Sequence, residues 1–169
     1  MKRDGILFLI SAPSGGGKST LLKMRESEGK HLSADLRKRL KIVRDAVKKV
    51  RKLQPDVVKR HREQLRERIA RAGVELPVDD ERLLKELAIF ADKSDVTEEL
   101  TRLASHFDQF EHHLAKNEPV GRTLEFMCQE IGREFNTLGS KANDVEISQL
   151  VVTCKAEMEK IREQIQNIE

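Results

Sequence analysis

Two groups of side chains are spaced for chemistry. Glu130 and Glu134 stand one helical turn apart on a shoulder of the face made by Met127 and Ile131. Glu99, His106 and His113 recur every seven residues beside a face made by Leu103 and Phe107. If the two helices pack side by side, two carboxylates meet a third and an imidazole at a partly dry boundary. Glu130, Glu134 and Glu99 would then offer oxygen ligands to Mg²⁺ or Mn²⁺, with Glu130, Glu134 and His106 able to exchange protons. Arg133, Asn136, Ser140 and Lys141 are near enough in sequence to hold a scissile phosphate. The competing reading of the same spacing is salt bridging, Glu130 with Arg133 and Glu99 with Arg102 or with an opposite chain. Asp95 and Glu98 have capping-box spacing and read as a cap rather than as ligands.

A different chemistry is written at the front. Gly5 to Ile10 reads as a buried strand, followed by Ser11-Ala-Pro-Ser-Gly-Gly-Gly-Lys-Ser-Thr20. In a phosphate loop, Ser14, Gly15 and Gly17 would turn backbone N–H groups around a phosphate. Lys18 would reach the β- and γ-phosphates and Ser19 would hold Mg²⁺. The string resembles the opening of guanylate kinases, with Ala12 where the general pattern has its first glycine. A working P-loop also needs a parallel sheet and a second strand bearing a carboxylate, and nothing after Thr20 reads as that strand. Nor is there a counterpart to the guanine-nucleotide pocket or lid. ATP or GTP binding is therefore not expected, and the first twenty residues read as an N-terminal graft.

Charge divides the chain. Its 169 residues carry a net +3, yet residues 1–76 hold 21 Lys/Arg against 9 Asp/Glu, and residues 77–169 hold 11 against 20. Between Arg37 and Arg71, 15 basic residues meet four acidic ones, an excess too one-sided for internal pairing. Lys38, Lys41, Arg44, Lys48, Arg51 and Lys52, continued by Arg62 and Arg66, are candidates for an RNA or DNA phosphate surface. Partial neutralisation by the acidic half is the alternative. With no Trp and no Tyr, a base-stacking platform of the single-strand-binding type is not expected, so recognition should be led by backbone and shape.

The elements that must position these groups are helices. Few Pro and Gly interrupt the chain, and apolar residues recur at three- and four-residue steps. Leu36, Leu40, Val43, Val47 and Val50 form one stripe, and Val58, Leu65 and Ile69 continue it in a helix opened by Pro55 and closed at Ala72-Gly73. Asp79-Asp80-Glu81 opens a helix with Leu83, Leu84, Leu87 and Ala91. Val96, Leu100, Leu103, Phe107, Phe110 and Leu114 follow, then a break at Pro119 and Gly121. The next helix carries Leu124, Met127, Ile131 and Phe135 and is expected to end near Gly139. Asn143 and Glu146 are placed to cap the last one, with Ile147, Val151, Cys154, Met158, Ile161, Ile165 and Ile168 as its stripe. The expected fold is all-α, with long helical hairpins packed on heptad-like stripes and a subunit interface. The longest apolar run, Ile6 to Ile10, is too short to span a bilayer. Cys128 and Cys154 have neither zinc-ligand nor disulfide-scaffold spacing, so a reducing cytoplasm is the expected compartment.

A second resemblance covers residues 21–169. Met24-Arg-Glu-Ser-Glu-Gly29 before the basic stretch is similar to the YicC family. So are Glu98-Glu99-Leu100…Leu103…His106, Val120-Gly-Arg122, Leu124-Glu-Phe126, Gln129-Glu130, Arg133-Glu134, Asn136-Thr137 and Ser140-Lys141. Lys155…Ile161-Arg-Glu-Gln-Ile-Gln-Asn-Ile-Glu169 completes the match. The resemblance implies a cytoplasmic bacterial endoribonuclease that cuts RNA with divalent metal and assembles as a homo-oligomer, a hexamer. Such proteins begin with a sizeable β-containing domain, and the kinase-like residues stand in its place. The division implied is a P-loop fragment (1–22), a basic helical hairpin (23–76) and a C-terminal helical domain (77–169). Three readings follow: a metal-assisted endoribonuclease or an N-terminally truncated remnant of one; a non-catalytic RNA-binding or oligomerising helical module; and a P-loop nucleotide-binding protein, whose ATP or GTP affinity would be lost in Lys18→Ala.

Overall fold

The computed structural model describes residues 18–73, 77, 80–116 and 119–166. The strand and phosphate loop expected over residues 5–17, with Ser14, Gly15 and Gly17, lie outside them. The chain divides into two compact units, Met1–Asp35 and Leu36–Glu169. Among the described residues the secondary structure is helical: α1 (Lys18–Leu53), a 3-10 turn (Gln54–Asp56), α2 (Val57–Arg71), α3 (Glu81–Lys93), α4 (Thr97–Leu114), α5 (Gly121–Lys141) and α6 (Val145–Gln166). Lys18 and Ser19 fall in the first turn of α1, and residues 18–35, the described part of the first unit, are helical throughout.

In the second unit the predicted stripes become the core. Leu36, Leu40, Val43, Val47 and Val50 of α1 are buried, as are Leu100, Leu103, Phe107 and Phe110 of α4. Leu124, Ile131, Phe135 and Leu138 of α5 and the stripe of α6 from Ile147 to Ile165 complete it. Side-chain contacts give the order and direction. Arg102 and Lys141 bridge α4 to α5 at Glu134 and Glu99, so numbers rise along one helix as they fall along the other. Lys155 to Asn136 and Gln166 to Glu125 show the same for α5 and α6. Arg39 to Glu157 with Cys154 to the Val43 carbonyl runs α1 antiparallel to α6, and Arg44 to Asp108 with Arg51 to the Leu100 carbonyl runs it antiparallel to α4. Residues 36–53 of α1, α4, α5 and α6 thus enclose one core as an up-down four-helix arrangement. The α2 and α3 helices, packed on each other, are the connection from α1 to α4.

Three local expectations are corrected. The fifth helix runs two residues past Gly139, to Lys141, because Leu138 and Ala142 on either side are buried and hold it. Gly139 marks a close approach rather than an end: a Cβ there would lie 3.3 Å from Val151 Cγ1 of α6. The cap of α6 is Asp144, whose Oδ1 accepts from Ile147 N–H at 3.0 Å. Asn143 instead takes the left-handed turn before it, φ 44°, which asparagine tolerates. On α2, Val58, Leu65 and Ile69 are only half-buried, and Val57 is the buried residue.

Cys128 and Cys154 are free and buried, and burial pushes both thiols from 9.0 up to about 12. A folded-state pKa raised above its unfolded value stabilises the fold fully below the unfolded one. Stability should therefore hold up to pH 9.0 and fall as pH rises from there toward about 12. Both thiols should resist a thiol-disulfide reagent at pH 8 and react fully once guanidinium unfolds the chain. Fast reaction of native protein would contradict the packing.

Candidate functional site

The basic face of α1 sorts by its angle to the core. At about 100° per residue, Arg37, Lys38, Lys41, Lys48, Lys49 and Lys52 fall within a strip roughly 120° wide, centred opposite Val43 and nearly opposite Leu36 and Val50. All six are exposed. Lys48 meets Asp45 of its own helix at 3.2 Å, and no partner is found for Lys38, Lys41 or Lys52 among the described residues. Arg39, Arg44 and Arg51 lie at the edges of the buried stripe and bond to neighbouring helices there, Arg51 while still exposed. Arg39 pairs with Glu157 at 3.0 Å. Arg44 reaches Asp108 at 2.8 Å and Glu111 at 3.3 Å, with its guanidinium over the Phe107 ring. Arg51 donates to the Leu100 carbonyl at 3.4 Å. Of the predicted RNA-binding set, then, Lys38, Lys41, Lys48 and Lys52 face solvent, and Arg44 and Arg51 hold α1 to α4. On α2, Arg62 and Arg66 are half-buried, each with a guanidinium nitrogen shielded from solvent and unpaired.

The seam between α4 and α5 brings together most of the predicted reactive groups. Glu99 is 4% exposed, because it lies at the edge of the Leu103 face, and its Oε1 accepts from Lys141 Nζ at 2.8 Å. Its Oε2 is buried and has no hydrogen-bond partner. Glu134 is buried one layer along, 3.5 Å from Arg102 Nη1. Arg102 also pairs with Glu98, and Glu98 followed by Glu134 raises its pKa. The hydrogen bond that Lys141 donates to Glu99 is the main cause of its raised pKa, with the charges of Glu99, Glu98 and Asp95 adding to it. Asp95 does not form the expected capping box: Val96 holds the cap position of α4 without a side-chain cap bond, and Asp95 Oδ1 accepts from Thr97 N–H at 2.9 Å just before the helix. The Thr97 side chain, and then its backbone N–H, hold the Asp95 carboxyl below its ordinary pKa.

The remaining predicted residues are distributed around this seam. Glu130 pairs with Arg133 at 2.6 Å within α5. Asn136 faces α6, where its Oδ1 accepts from Lys155 Nζ at 2.7 Å, and Ser140 donates to the Thr137 carbonyl. His106 is half-buried one turn beyond Arg102, with no hydrogen-bond or ion-pair partner among the described residues. His113 meets His112 edge to face. The salt-bridge reading therefore holds for Glu130 with Arg133, but Glu99 takes Lys141 rather than Arg102. Among the described residues, no group of three or more His, Cys, Asp or Glu is placed to hold a metal ion. With each of the three carboxylates facing a cation, Glu99, Glu130 and Glu134 as they stand do not fit one. Arg102 bridges two helices in a way spacing alone did not single out; its place four residues after Glu98 was the available signal.

A second concave region lies where α2 meets the turn before α6, lined by Arg60, His61, Gln64, Asn143, Asp144, Val145 and Glu146. Arg60 is fixed by Asp144 Oδ2 at 2.8 Å, and the His61 ring stacks flat on Phe90 of α3 at 3.6 Å. Nothing in the spacing of His61 and Phe90 announces that contact.

Removing a cation from a buried carboxylate leaves an uncompensated charge, whereas an exposed pair contributes little. Lys141→Ala should accordingly lower the melting temperature clearly more than Arg133→Ala, and Lys141→Ala with Glu99→Gln should recover part of the loss. Equal effects from the two single variants would show that the Glu99 pair is not a structural one.

Comparison with known proteins places this architecture. Residues 50–169 match the family model described as endoribonuclease YicC-like, C-terminal. The chain is 44% identical over 151 residues to a probable endoribonuclease YicC of Clostridioides difficile (strain 630), covering 88% of this chain and 51% of that protein. It is 39% identical over 148 residues to a probable endoribonuclease YicC of Haemophilus influenzae, again 88% of this chain and 51% of the relative. The chain thus spans about half the length of the curated relatives it matches. It belongs to the YicC-like endoribonuclease family, and residues 50–169 are that family's C-terminal domain.

Proposed function

We propose that this chain binds RNA along the outward face of α1 and takes part in cutting it at the α4–α5 seam. The observation that carries the reading is the division of the α1 bases between the bundle edge and the outer face, where Arg37 joins the lysines. Arg39, Arg44 and Arg51 serve the bundle, while Lys38, Lys41, Lys48 and Lys52 are left in water along several turns. Apart from Lys48, which meets Asp45, these lysines have no partner among the described residues, and such a row of like charges is costly to keep unless a polyanion answers it. The family's relatives, named as probable endoribonucleases, supply the reaction class.

At the seam, Glu130, Glu134, His106, Arg133 and Lys141 are the proposed reactive groups. His106 is distinguished from the other four by having no hydrogen-bond or ion-pair partner among the described residues. It is free to move a proton, so general acid–base work falls first to it. Lys141 and Arg133 are the cations available to a scissile phosphate, and Glu134 sets the position of Arg102. The carboxylates do not fit a bound metal as they stand, so dependence on Mg²⁺ or Mn²⁺ is a separate part of the proposal and no step is routed through the ion. A homo-oligomer, a hexamer by family resemblance, and a cytoplasmic place belong to the same proposal; no helix among the described residues is long and apolar enough to cross a membrane. Pairing of every seam carboxylate favours a second reading, in which the chain binds RNA without cutting it.

Cleavage of an end-labelled structured RNA with Mn²⁺, with Mg²⁺ and with EDTA separates these. Internal cuts should fall about 100-fold or more in His106→Ala, with RNA affinity unchanged. Cuts that survive Glu130→Ala and Glu134→Ala together would remove the carboxylates from the mechanism, and binding without cuts would establish the second reading.

For binding, Lys38→Ala, Lys41→Ala, Lys48→Ala and Lys52→Ala together should reduce the slope of log affinity against log salt by roughly three. Arg44→Ala with Arg51→Ala should instead move the melting temperature. An unchanged slope in the lysine variant would put the RNA surface elsewhere.

A further inference from the structure

The depression beside α2 is built differently from the rest of the surface. Its volume is about 360 Å³, at the small end of ligand clefts. Two of its side chains are fixed before anything binds. Arg60 gives Nε and Nη2 to one oxygen of Asp144, at 2.9 and 2.8 Å, while the other Asp144 oxygen caps α6. The His61 ring lies 3.6 Å from Phe90 and within 2° of parallel, so it is held flat at the pocket wall. Holding a ring in place beforehand removes an entropic cost of stacking on it.

Three other lining residues keep polar ends open. Asn143 donates Nδ2 to the Lys141 carbonyl at 3.1 Å, which leaves its Oδ1 as an acceptor. Gln64 and Glu146 are exposed and have no partner among the described residues. One turn beyond Gln64, and two beyond His61, Arg68 is exposed and unpaired too. A flat ring, an amide with both donor and acceptor, two acceptors and a nearby guanidinium match one class of ligand: a nucleobase with its adjoining phosphate.

We infer that this pocket takes an unstacked base of the bound RNA, laid on His61 and read at its polar edge by Gln64, Asn143 and Glu146. Sequence-tolerant stacking on histidine and edge reading by amides are how proteins recognise RNA loops and bulges. Arg68 meets the phosphate beside that base. Glu146 and Asn143 Oδ1 accept best from an exocyclic amine, so adenine, guanine and cytosine fit the edge better than uracil. The inference rests on the RNA reading above and adds a substrate feature to it: a duplex with a base free to leave the stack, the duplex on α1 and the loose base at α2.

The test uses the full chain and two fluorescein-labelled RNA hairpins with the same stem, one closed by four adenosines and one by four uridines. Affinity is measured across a salt series for wild type, Gln64→Ala, His61→Ala and His61→Phe. The adenosine-loop hairpin should bind more tightly than the uridine one. Gln64→Ala and His61→Ala should each weaken the adenosine-loop complex, His61→Ala by about tenfold. Their salt slopes should stay parallel to wild type, because no phosphate contact is lost, and His61→Phe should keep the affinity by keeping the ring. Gln64 is exposed and unpaired, so its variant tests the pocket without disturbing the fold. Wild-type affinity in both alanine variants, with the α1 lysine variant still losing salt dependence, would overturn the pocket and leave the RNA reading standing. A wild-type protein with no salt-dependent affinity for either hairpin would overturn both.

Discussion

The ion pair between Glu99 and Lys141 governs how the rest of the structure can be assembled. A carboxylate this deep must be answered, and Lys141 of α5 answers it. With that contact made, Arg102 falls opposite Glu134, and Phe107 of α4 and Ile131 and Phe135 of α5 are all buried. A slip of one turn would leave Glu99 buried without a cation, so the seam has a single register. The same pair explains why α5 continues past Gly139, since Lys141 must still be helical to turn toward α4. Gly139 allows α6 to lie close on the opposite side.

Charge on α1 is divided by geometry rather than by amount. A helix on the outside of a bundle has a buried stripe, two edges and an outer face. Arginine at the edges covers the apolar border with its stem and carries a forked head to acids on the neighbouring helix. Lysine on the outer face has no such neighbour. That is the arrangement of Arg39, Arg44 and Arg51 against Lys38, Lys41, Lys48 and Lys52. The acidic second half of the chain therefore neutralises part of the basic half, but only along the edges.

Much of the fold was legible in the residues because helix period and burial are local signals. The stripes of α1, α4, α5 and α6 are the observed core almost residue for residue. What was not legible depended on partners far along the chain. Gly139 has the look of a terminator, and only the proximity of Val151 shows that it is a contact. Asn143 and Asp144 are both good caps, and the backbone chose the second because the first was needed for the turn. At the site, the shoulders carrying Glu99 and Glu134 were readable, and their meeting across the α4–α5 seam followed. Which base each would take was not, because a partner on a neighbouring helix is set by how the helices pack, which neither helix's own period encodes. The stacking of His61 on Phe90 joins residues from two helices whose relative placement no periodicity encodes.

The order of the helices has a kinetic meaning. The α4, α5 and α6 helices follow one another with short connections, so their contacts form with little loop entropy to overcome. The first helix reaches α6 across a separation of 118 residues at Arg39 and Glu157, and reaches α4 only after α2 and α3 have been threaded between them. Closing that span is the slowest search the chain has to make. The element that presents the lysine row is thus the one whose contacts are least local.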